Sequence, residues 1–222
     1  MTEIIQQQNV YDVYDNISEH FSDTRYCIWD FVKKFLDTKE EKMKGVDIGC
    51  GNGKNMMYNP KLMITGFDIC SGFIDICKNN ELCVFKGDCL ELPCDSEIYD
   101  YAMSIAVYHH IVSYIDRKKA IREMLRVLKP GGQGIFSVWS VENQEGEKIK
   151  RTFRQGDNFV NWTRRTDKKV FQRYYHVFTE KMITEFMDNF RYEISDLEIF
   201  NEKGNWVVKF VKNYQFTTIE NK

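Results

Sequence analysis

The sequence predicts an open, mostly parallel α/β sheet of seven strands, with helices on both faces and an antiparallel terminal strand. Three observations predict it. Short apolar runs alternate with segments of helical periodicity along most of the 222 residues, the pattern of right-handed strand–helix–strand crossovers. A turn with three glycines, Gly49-Cys50-Gly51-Asn52-Gly53, follows the first apolar run. The last two strand-like runs follow one another with no helix between them, which calls for an antiparallel hairpin at the sheet edge.

The elements follow in order. Val10, Tyr11, Tyr14, Ile17 and Phe21 recur at helical spacing. Trp29–Leu36 gives a second helix through Phe31, Val32 and Phe35, so residues 1–40 form an N-terminal helical cap. Val46-Asp47-Ile48 is the first buried strand; it enters the glycine turn, and a helix is expected just after it. Leu62–Phe67 is the second strand, ending at Asp68. Ser71–Lys78 is helical, with Phe73, Ile74 and Cys77 on one face. Leu82–Phe85 is the third strand, ending at Gly87-Asp88, and Tyr99–Val107 is the fourth. Asp116 is the expected cap of a helix to Leu128, with Ile121, Met124, Leu125 and Leu128 inward. Lys129-Pro130-Gly131-Gly132 stops that helix, and Gly134–Trp139 is the fifth strand. The rhythm breaks over 141–173 and resumes with Tyr174–Phe178, a helix over Lys181–Phe190, and strands at Tyr192–Phe200 and Trp206–Val211, with Gly204-Asn205 near their turn. Residues 1–222 read as one domain with a basic insertion at 141–173 near the substrate site.

Composition narrows the class. Lys+Arg number 31 and Asp+Glu 33, for a net charge of −2, and 43% hydrophobic with 29% charged residues excludes disorder, collagen and coiled coil. Only 3 Pro and 13 Gly argue against long flexible linkers. No apolar run reaches the length of a membrane helix, about 18 residues, and Met1–Gln8 lacks an apolar signal core. Seven cysteines, at 27, 50, 70, 77, 83, 89 and 94, are odd in number, irregular in spacing and free of CxxC. That argues against a disulfide framework or a zinc knuckle; free thiols as small buried hydrophobes imply a reducing, intracellular compartment. The expected location is the cytoplasm, with the nucleus as the alternative, and no bound metal is expected.

Glycines let the backbone turn tightly and approach a ligand, and acids at strand ends lie where open α/β sheets bind ligands. Here Asp68 ends the second strand and Asp88 the third, and an acid at the second strand end can accept both hydroxyls of a ribose. The order GxGxG, rather than GxGxxG, argues against a dinucleotide. Across roughly residues 45–140 this set resembles the class I S-adenosylmethionine-dependent methyltransferases, whose fold is Rossmann-like. The resemblance implies S-adenosylmethionine as cofactor. It implies that Asp47, Gly49, Gly51 and Gly53 take its methionine part, that Asp68 holds the ribose, and that Ile69 packs on the adenine. It further places Asp88 and Cys89 at the adenine edge and Ser104 to Ala106 facing methionine and substrate. Leu128-Lys129-Pro130-Gly131-Gly132 matches that family's turn before the fifth strand.

Further segments carry a narrower resemblance. They are Tyr14-Asp-Asn-Ile17, His20-Phe21, Thr24-Arg25-Tyr26, Trp29, Val107-Tyr-His-His110, Trp139, Arg173-Tyr-Tyr-His-Val-Phe178 and Gly204-Asn-Trp206. Together they resemble the eukaryotic tRNA methyltransferases that esterify 5-carboxymethyluridine at the wobble position. Asp30 departs from that family's pattern, which has a proline after the tryptophan, and 141–173 is compact for it. A carboxylate nucleophile is already ionised at neutral pH, with a pKa of about 4, so the site needs orientation rather than a strong base. Arg25 is the candidate grip on the carboxylate, since a guanidinium binds it bidentately. His109 or His110 is a candidate donor, with His109 favoured. Trp139 and Tyr175 are candidates to stack on the uracil, and Trp206 reads as packing.

Asn-Pro-Pro-Tyr and Asp-Pro-Pro-Tyr are missing at Ser104–Val107, and no Pro-Cys stands there, so amino methylation and covalent C5 methylation are not supported. Residues 147–173 hold nine basic residues against three acids, net +6, which leaves the rest of the chain at −8. Phe153, Phe159, Trp162 and Phe171 are interleaved, a combination that fits an anticodon-loop contact. The third strand should lie at a sheet edge that needs cover; the resemblance implies a small zinc-binding activator subunit there. Two alternatives stand beside this reading. A methyltransferase of small molecules, such as a quinone or carboxylic acid, is disfavoured by the basic segment. A non-catalytic cofactor-binding subunit is disfavoured by the glycine turn, Asp68 and Arg25.

Overall fold

The computed structural model describes residues 1–24, 27–142 and 153–214. Strands β1 (Lys44–Ile48), β2 (Met63–Asp68), β3 (Val84–Lys86), β4 (Tyr99–Ile105) and β5 (Leu128–Trp139) run parallel in the order β3-β2-β1-β4-β5. The hairpin of β8 (Ile194–Glu202) and β9 (Asn205–Lys212) completes the seven-stranded sheet, with β9 antiparallel to β5 and β8 outermost. Lys203 and Gly204, at φ 49° and 76°, form its two-residue turn; positive φ at both positions matches the right-handed twist of the flanking strands.

Burial on both faces is what makes the central strands continuously apolar. Tyr101, Met103 and Ile105 face a layer with Phe31, Val32, Phe35 and Leu36 of α3 (Asp30–Leu36) and Ile74 and Cys77 of α4 (Ser71–Asn79). Ala102 and Phe136 face Ile121, Met124 and Leu125 of α5 (Tyr114–Val127) and Ile183, Phe186 and Met187 of α6 (Glu180–Met187). Trp206 is buried in this second layer, where Nε1 donates to the Phe178 carbonyl at 3.2 Å.

Several local expectations are corrected. After the glycine turn the chain makes only a 3₁₀ turn, Met56–Tyr58. Pro60 follows at once and biases Asn59 away from helical geometry; Asn59 is extended at φ −132°. Ser113, rather than Asp116, caps α5: its hydroxyl accepts from the Asp116 N–H at 3.3 Å, so Asp116 sits in the first turn. Asp30 is the first residue of α3, a position where proline is also tolerated; its carboxylate pairs with Lys33 and with Lys203 of the β8–β9 turn.

The basic segment holds a strand that the sequence did not announce. β6 (Gly156–Thr163) pairs antiparallel with β7 (Val170–Val177) in a two-stranded ribbon separate from the main sheet. Val160, Tyr175 and Val177 pack with Trp139 and Phe153. Phe171 packs under Val13 and Ile17 of α2 (Asp12–Ser22), while Tyr174 packs with Val10. The ribbon is thus clamped between the sheet end and the N-terminal helices, α1 (Thr2–Gln6), the π-turn Gln7–Tyr11 and α2. All seven cysteines are free; Cys50, Cys70 and Cys77 are buried, as expected of small hydrophobes, whereas Cys27 and Cys83 are exposed. Among the described residues no helix is long and apolar enough to cross a membrane.

Candidate active site

The strand order reverses direction between β1 and β4, and a crevice opens there beyond the strand carboxyl ends. It holds a cavity of about 1320 Å³ roofed by the N-terminal helices and walled at one end by the ribbon. Gly49 and Gly51, at φ 73° and 54°, form its floor. The Gly49 and Cys50 N–H groups donate to the Phe67 carbonyl at 2.7 and 3.0 Å. A Cβ on Gly51 would meet nothing within 4 Å, so backbone alone faces the cavity there.

Asp68 fixes this floor. Its Oδ2 accepts from the Gly51 N–H at 2.8 Å and its Oδ1 from the Cys70 N–H at 2.9 Å. Burial pushes its carboxyl up to about 6, and the Cys70 and Gly51 N–H groups pull it back down. Asp88 lines the same end, where its Oδ1 accepts from the Leu90 N–H at 2.9 Å and the Tyr11 hydroxyl lies 3.5 Å from Oδ2. Ile69, Cys89 and Ala106 also line the cavity. Ala106 adopts φ 61°, a left-handed backbone held by its N–H bonds to Ser137 O and Oγ, and it swings the chain from β4 into the site.

Three expected contact residues lie outside the cavity wall. Asp47 is fully buried beneath the floor, with Asn55 Nδ2 donating to its Oδ2 at 3.4 Å, and burial raises it to about 7. Ser104 donates to the Ile48 carbonyl at 2.9 Å and ties β4 to β1. Gly53, at φ 75°, backs onto Leu82 and Cys77, and a Cβ there would collide with Leu82 and press on Cys77. These residues build the turn from below. Arg25 lies outside the described residues.

The far end is aromatic and cationic. His109 and His110 both line the cavity, because they occupy a 3₁₀ turn, Tyr108–His110, rather than a strand with alternating side chains. The Trp139 N–H donates to His109 Nδ1 at 3.1 Å, so the ring proton of His109 sits on Nε2. His110 is the opposite tautomer: Nδ1–H donates to the Tyr174 carbonyl at 2.8 Å, and Nε2 accepts from the Tyr14 hydroxyl at 2.8 Å. Burial drives both below the ordinary histidine range, His110 to about 3, so both are neutral at pH 7. Trp139 and Tyr175 stack on one another, with centroids 4.0 Å apart and planes 10° apart. Tyr175 is buried because it points inward from β7, and both it and the partly buried Trp139, the expected stacking residues, line this end of the cavity.

Sequence reasoning missed Arg173 as a site residue. It lines the cavity from β7, is buried, and has no hydrogen-bond acceptor for Nε or Nη2 among the described residues. Its guanidinium lies over Trp162 and Tyr175, at 4.8 and 5.2 Å from the ring centroids. An arginine within an alternating aromatic strand was the signal available, but β7 had to be placed before it could be read.

Residues 46–136 match the methyltransferase domain family. A tRNA (carboxymethyluridine(34)-5-O)-methyltransferase of Schizosaccharomyces pombe is 34% identical over 226 residues, covering 94% of this chain and 98% of that protein. The chain belongs to the tRNA (carboxymethyluridine(34)-5-O)-methyltransferase family. The Saccharomyces cerevisiae member is 37% identical over 71% of this chain and 57% of its own length. Among solved structures, a DhpI–SAM–HEP complex superposes with a TM-score of 0.69 at 16% identity, covering 93% of this chain and 96% of that one. The methyltransferase in a complex with the Haloferax volcanii Trm112 activator gives 0.63 at 16% identity, covering 94% and 98%. At such identities these structures share the fold, and the family membership rests on the full-length fungal relative.

Proposed function

We propose that the protein methylates the carboxylate of 5-carboxymethyluridine at the tRNA wobble position, giving the methyl ester, with S-adenosylmethionine as donor. One observation carries the reading: among the described residues the acceptor end of the cavity offers a guanidinium and two histidines held neutral, with no strong base to deprotonate an alcohol or amine. That suits a nucleophile that is already an anion. The names of the full-length and partial relatives support the same substrate.

The cofactor fits the other end. The bare backbone at Gly51 leaves room for close approach, and Asp68, held by two N–H groups, still has lone pairs for ribose hydroxyls. Asp47 beneath the turn, raised to about 7, adds negative potential that suits a cation in the fraction of molecules where it is ionised. When bound, S-adenosylmethionine supplies a methyl group activated by its sulfonium. The chain orients the acceptor against it: the Ala106 bend and the Trp139 N–H fix His109, and the ribbon clamps Arg173 and Tyr175. Such orientation is worth up to about 7–11 kcal/mol.

The ribbon tip supports an anticodon-loop contact. Arg164 is committed to Asp167, at 3.0 and 2.5 Å, and to the Asn16 carbonyl, whereas Arg165 and Lys168 are exposed. Arg165→Glu with Lys168→Glu is expected to weaken tRNA binding and to reduce the slope of log affinity against log salt by about 2; an unchanged slope in filter binding would remove the tip from the interface. The three-residue edge strand β3, with Phe85 55% exposed, is the proposed seat of a small zinc-binding activator subunit. The activator named in the Haloferax volcanii complex supports this partner. Seven free thiols support a cytoplasmic location.

Nucleoside mass spectrometry on carboxymethyl-bearing tRNA tests the function. Incubation with S-adenosylmethionine, with and without the activator, is expected to add one methyl group that mild alkali removes. No ester under either condition, with cofactor affinity intact, would overturn it in favour of a small-molecule acceptor.

A further inference from the structure

We infer that Arg173 and His109 form the anion pocket that grips the acceptor carboxylate, a role the sequence gave to Arg25; this rests on the reaction proposed above. The contrast with other arginines carries the inference. Arg126 is satisfied by the Glu123 carboxylate and by the Leu92 and Cys94 carbonyls, and Arg117 donates through Nη1 to the Ile111 and Val112 carbonyls, leaving Nε alone without an acceptor among the described residues. Arg173 is 1% exposed, the largest of the fully buried side chains among the described residues, yet Nε and Nη2 meet no acceptor among those residues.

The groups that face it come from every element packed around it. Tyr14 of α2 and Tyr175 of β7 present hydroxyls, His109 and His110 of the 3₁₀ turn present neutral rings, and Trp162 of β6 presents a π face. No described carboxylate is among them. A buried guanidinium without a counter-ion is unfavourable unless an anion arrives to pair with it, and this one lines the cavity that takes the substrate. His109 adds a donor, because its Nδ1 is held by the Trp139 N–H and its proton is therefore on Nε2. Tyr14 closes the pocket from the N-terminal cap: its hydroxyl donates to His110 Nε2 and also meets the Arg173 guanidinium, which leaves Nε and Nη2 for the anion. The pocket recognises a carboxylate and discriminates against the uncharged amide of the same side chain, which has one acceptor oxygen and would set its NH₂ donor against the other arm of the guanidinium fork.

The test compares wild type with Arg173→Met and Arg173→Lys. Turnover on carboxymethyl-bearing tRNA is expected to fall about tenfold to a hundredfold in Arg173→Met, the size of a hydrogen bond to a charged group, with unchanged affinity for S-adenosylmethionine. Arg173→Lys should recover part of it. Arg173→Met is also expected to melt no lower than wild type, since an unpaired charge is removed; an arginine with a structural role would lower the melting temperature. In parallel, the free nucleosides 5-carboxymethyluridine and its amide are added to the protein saturated with S-adenosylhomocysteine. The acid alone should raise the melting temperature of wild type, and neither should raise that of Arg173→Met. Equal stabilisation of wild type by acid and amide overturns the pocket, as does full turnover in Arg173→Met, while ester formation by wild type leaves the reaction standing. Acid-specific, Arg173-dependent stabilisation without any ester leaves the pocket standing and overturns the reaction.

Discussion

Asp68→Ala loses cofactor binding and with it all turnover. In wild type the Asp68 carboxylate holds the N–H groups of Gly51 and Cys70 at 2.8 and 2.9 Å and keeps lone pairs for two hydroxyls. Loss of two hydrogen bonds to a charged acceptor costs about 3–6 kcal/mol, a hundredfold or more in affinity. The substitution also orphans two buried donors at the floor of the site, so the glycine turn loosens as well. Asp68→Asn does not rescue, because its amide NH₂ would confront one of those N–H groups, donor against donor. Calorimetric titration with S-adenosylmethionine checks this, and wild-type affinity in Asp68→Ala would remove the residue from the cofactor site. The carboxyl is pushed up to about 6, so its acceptor form is lost as pH falls through that value. Cofactor affinity of the wild type should therefore weaken below about pH 6.

Asp47→Asn is expected to stabilise the protein at alkaline pH. Asp47 is fully buried, and neither its Oδ1 nor the adjacent Asn55 Oδ1 has a hydrogen-bond partner among the described residues. Its folded pKa of about 7 lies above the unfolded value near 3.9. The native state therefore holds a proton that the unfolded state has released between about pH 4 and 7. The stability this proton gives is present in full below pH 4 and is lost as pH rises through 7. At roughly 1.4 kcal/mol per unit the upper limit is about 4 kcal/mol. An asparagine keeps the neutral form at every pH, and its amide can donate to the orphaned Asn55 oxygen. Urea unfolding at pH 4 and pH 8 should show a gain of about 2–4 kcal/mol at pH 8 and little at pH 4. Asp68 retains a slope of the same sign, so the dependence is reduced rather than abolished. Parallel pH profiles for wild type and Asp47→Asn would show that Asp47 titrates normally. The same buried charge beneath a turn that would receive a cationic cofactor suggests why an acid stands there at a cost to stability.

The five parallel strands, the four core-facing helices and the terminal hairpin were legible because each rests on a local pattern. Alternation with period two or 3.6 selects strand or helix, and Gly49 and Gly51 mark a turn that only their φ angles permit. Asp68 and Asp88 were legible for the same reason: they follow apolar runs, and strand ends in this topology converge on one crevice. What escaped has no local signature. β6 hid within a basic segment because its alternation, Phe159 and Asn161 outward against Val160 inward, is interrupted by the polar tip that serves the ribbon rather than the main sheet.

The sequence by itself determined the sheet, the position of the glycine turn and the chemical kind of both cavity ends. Only the tertiary structure decided which residue does what within them. Arg173 differs from the other described arginines through what surrounds it, and His109 differs from His110 through which nitrogen a distant backbone group engages. Asp47 and Ser104 dropped beneath the floor because a strand places alternate side chains on opposite faces. Burial, tautomer and the lack of a partner are set by groups far apart in the chain, and they come into being only when the fold brings those groups together.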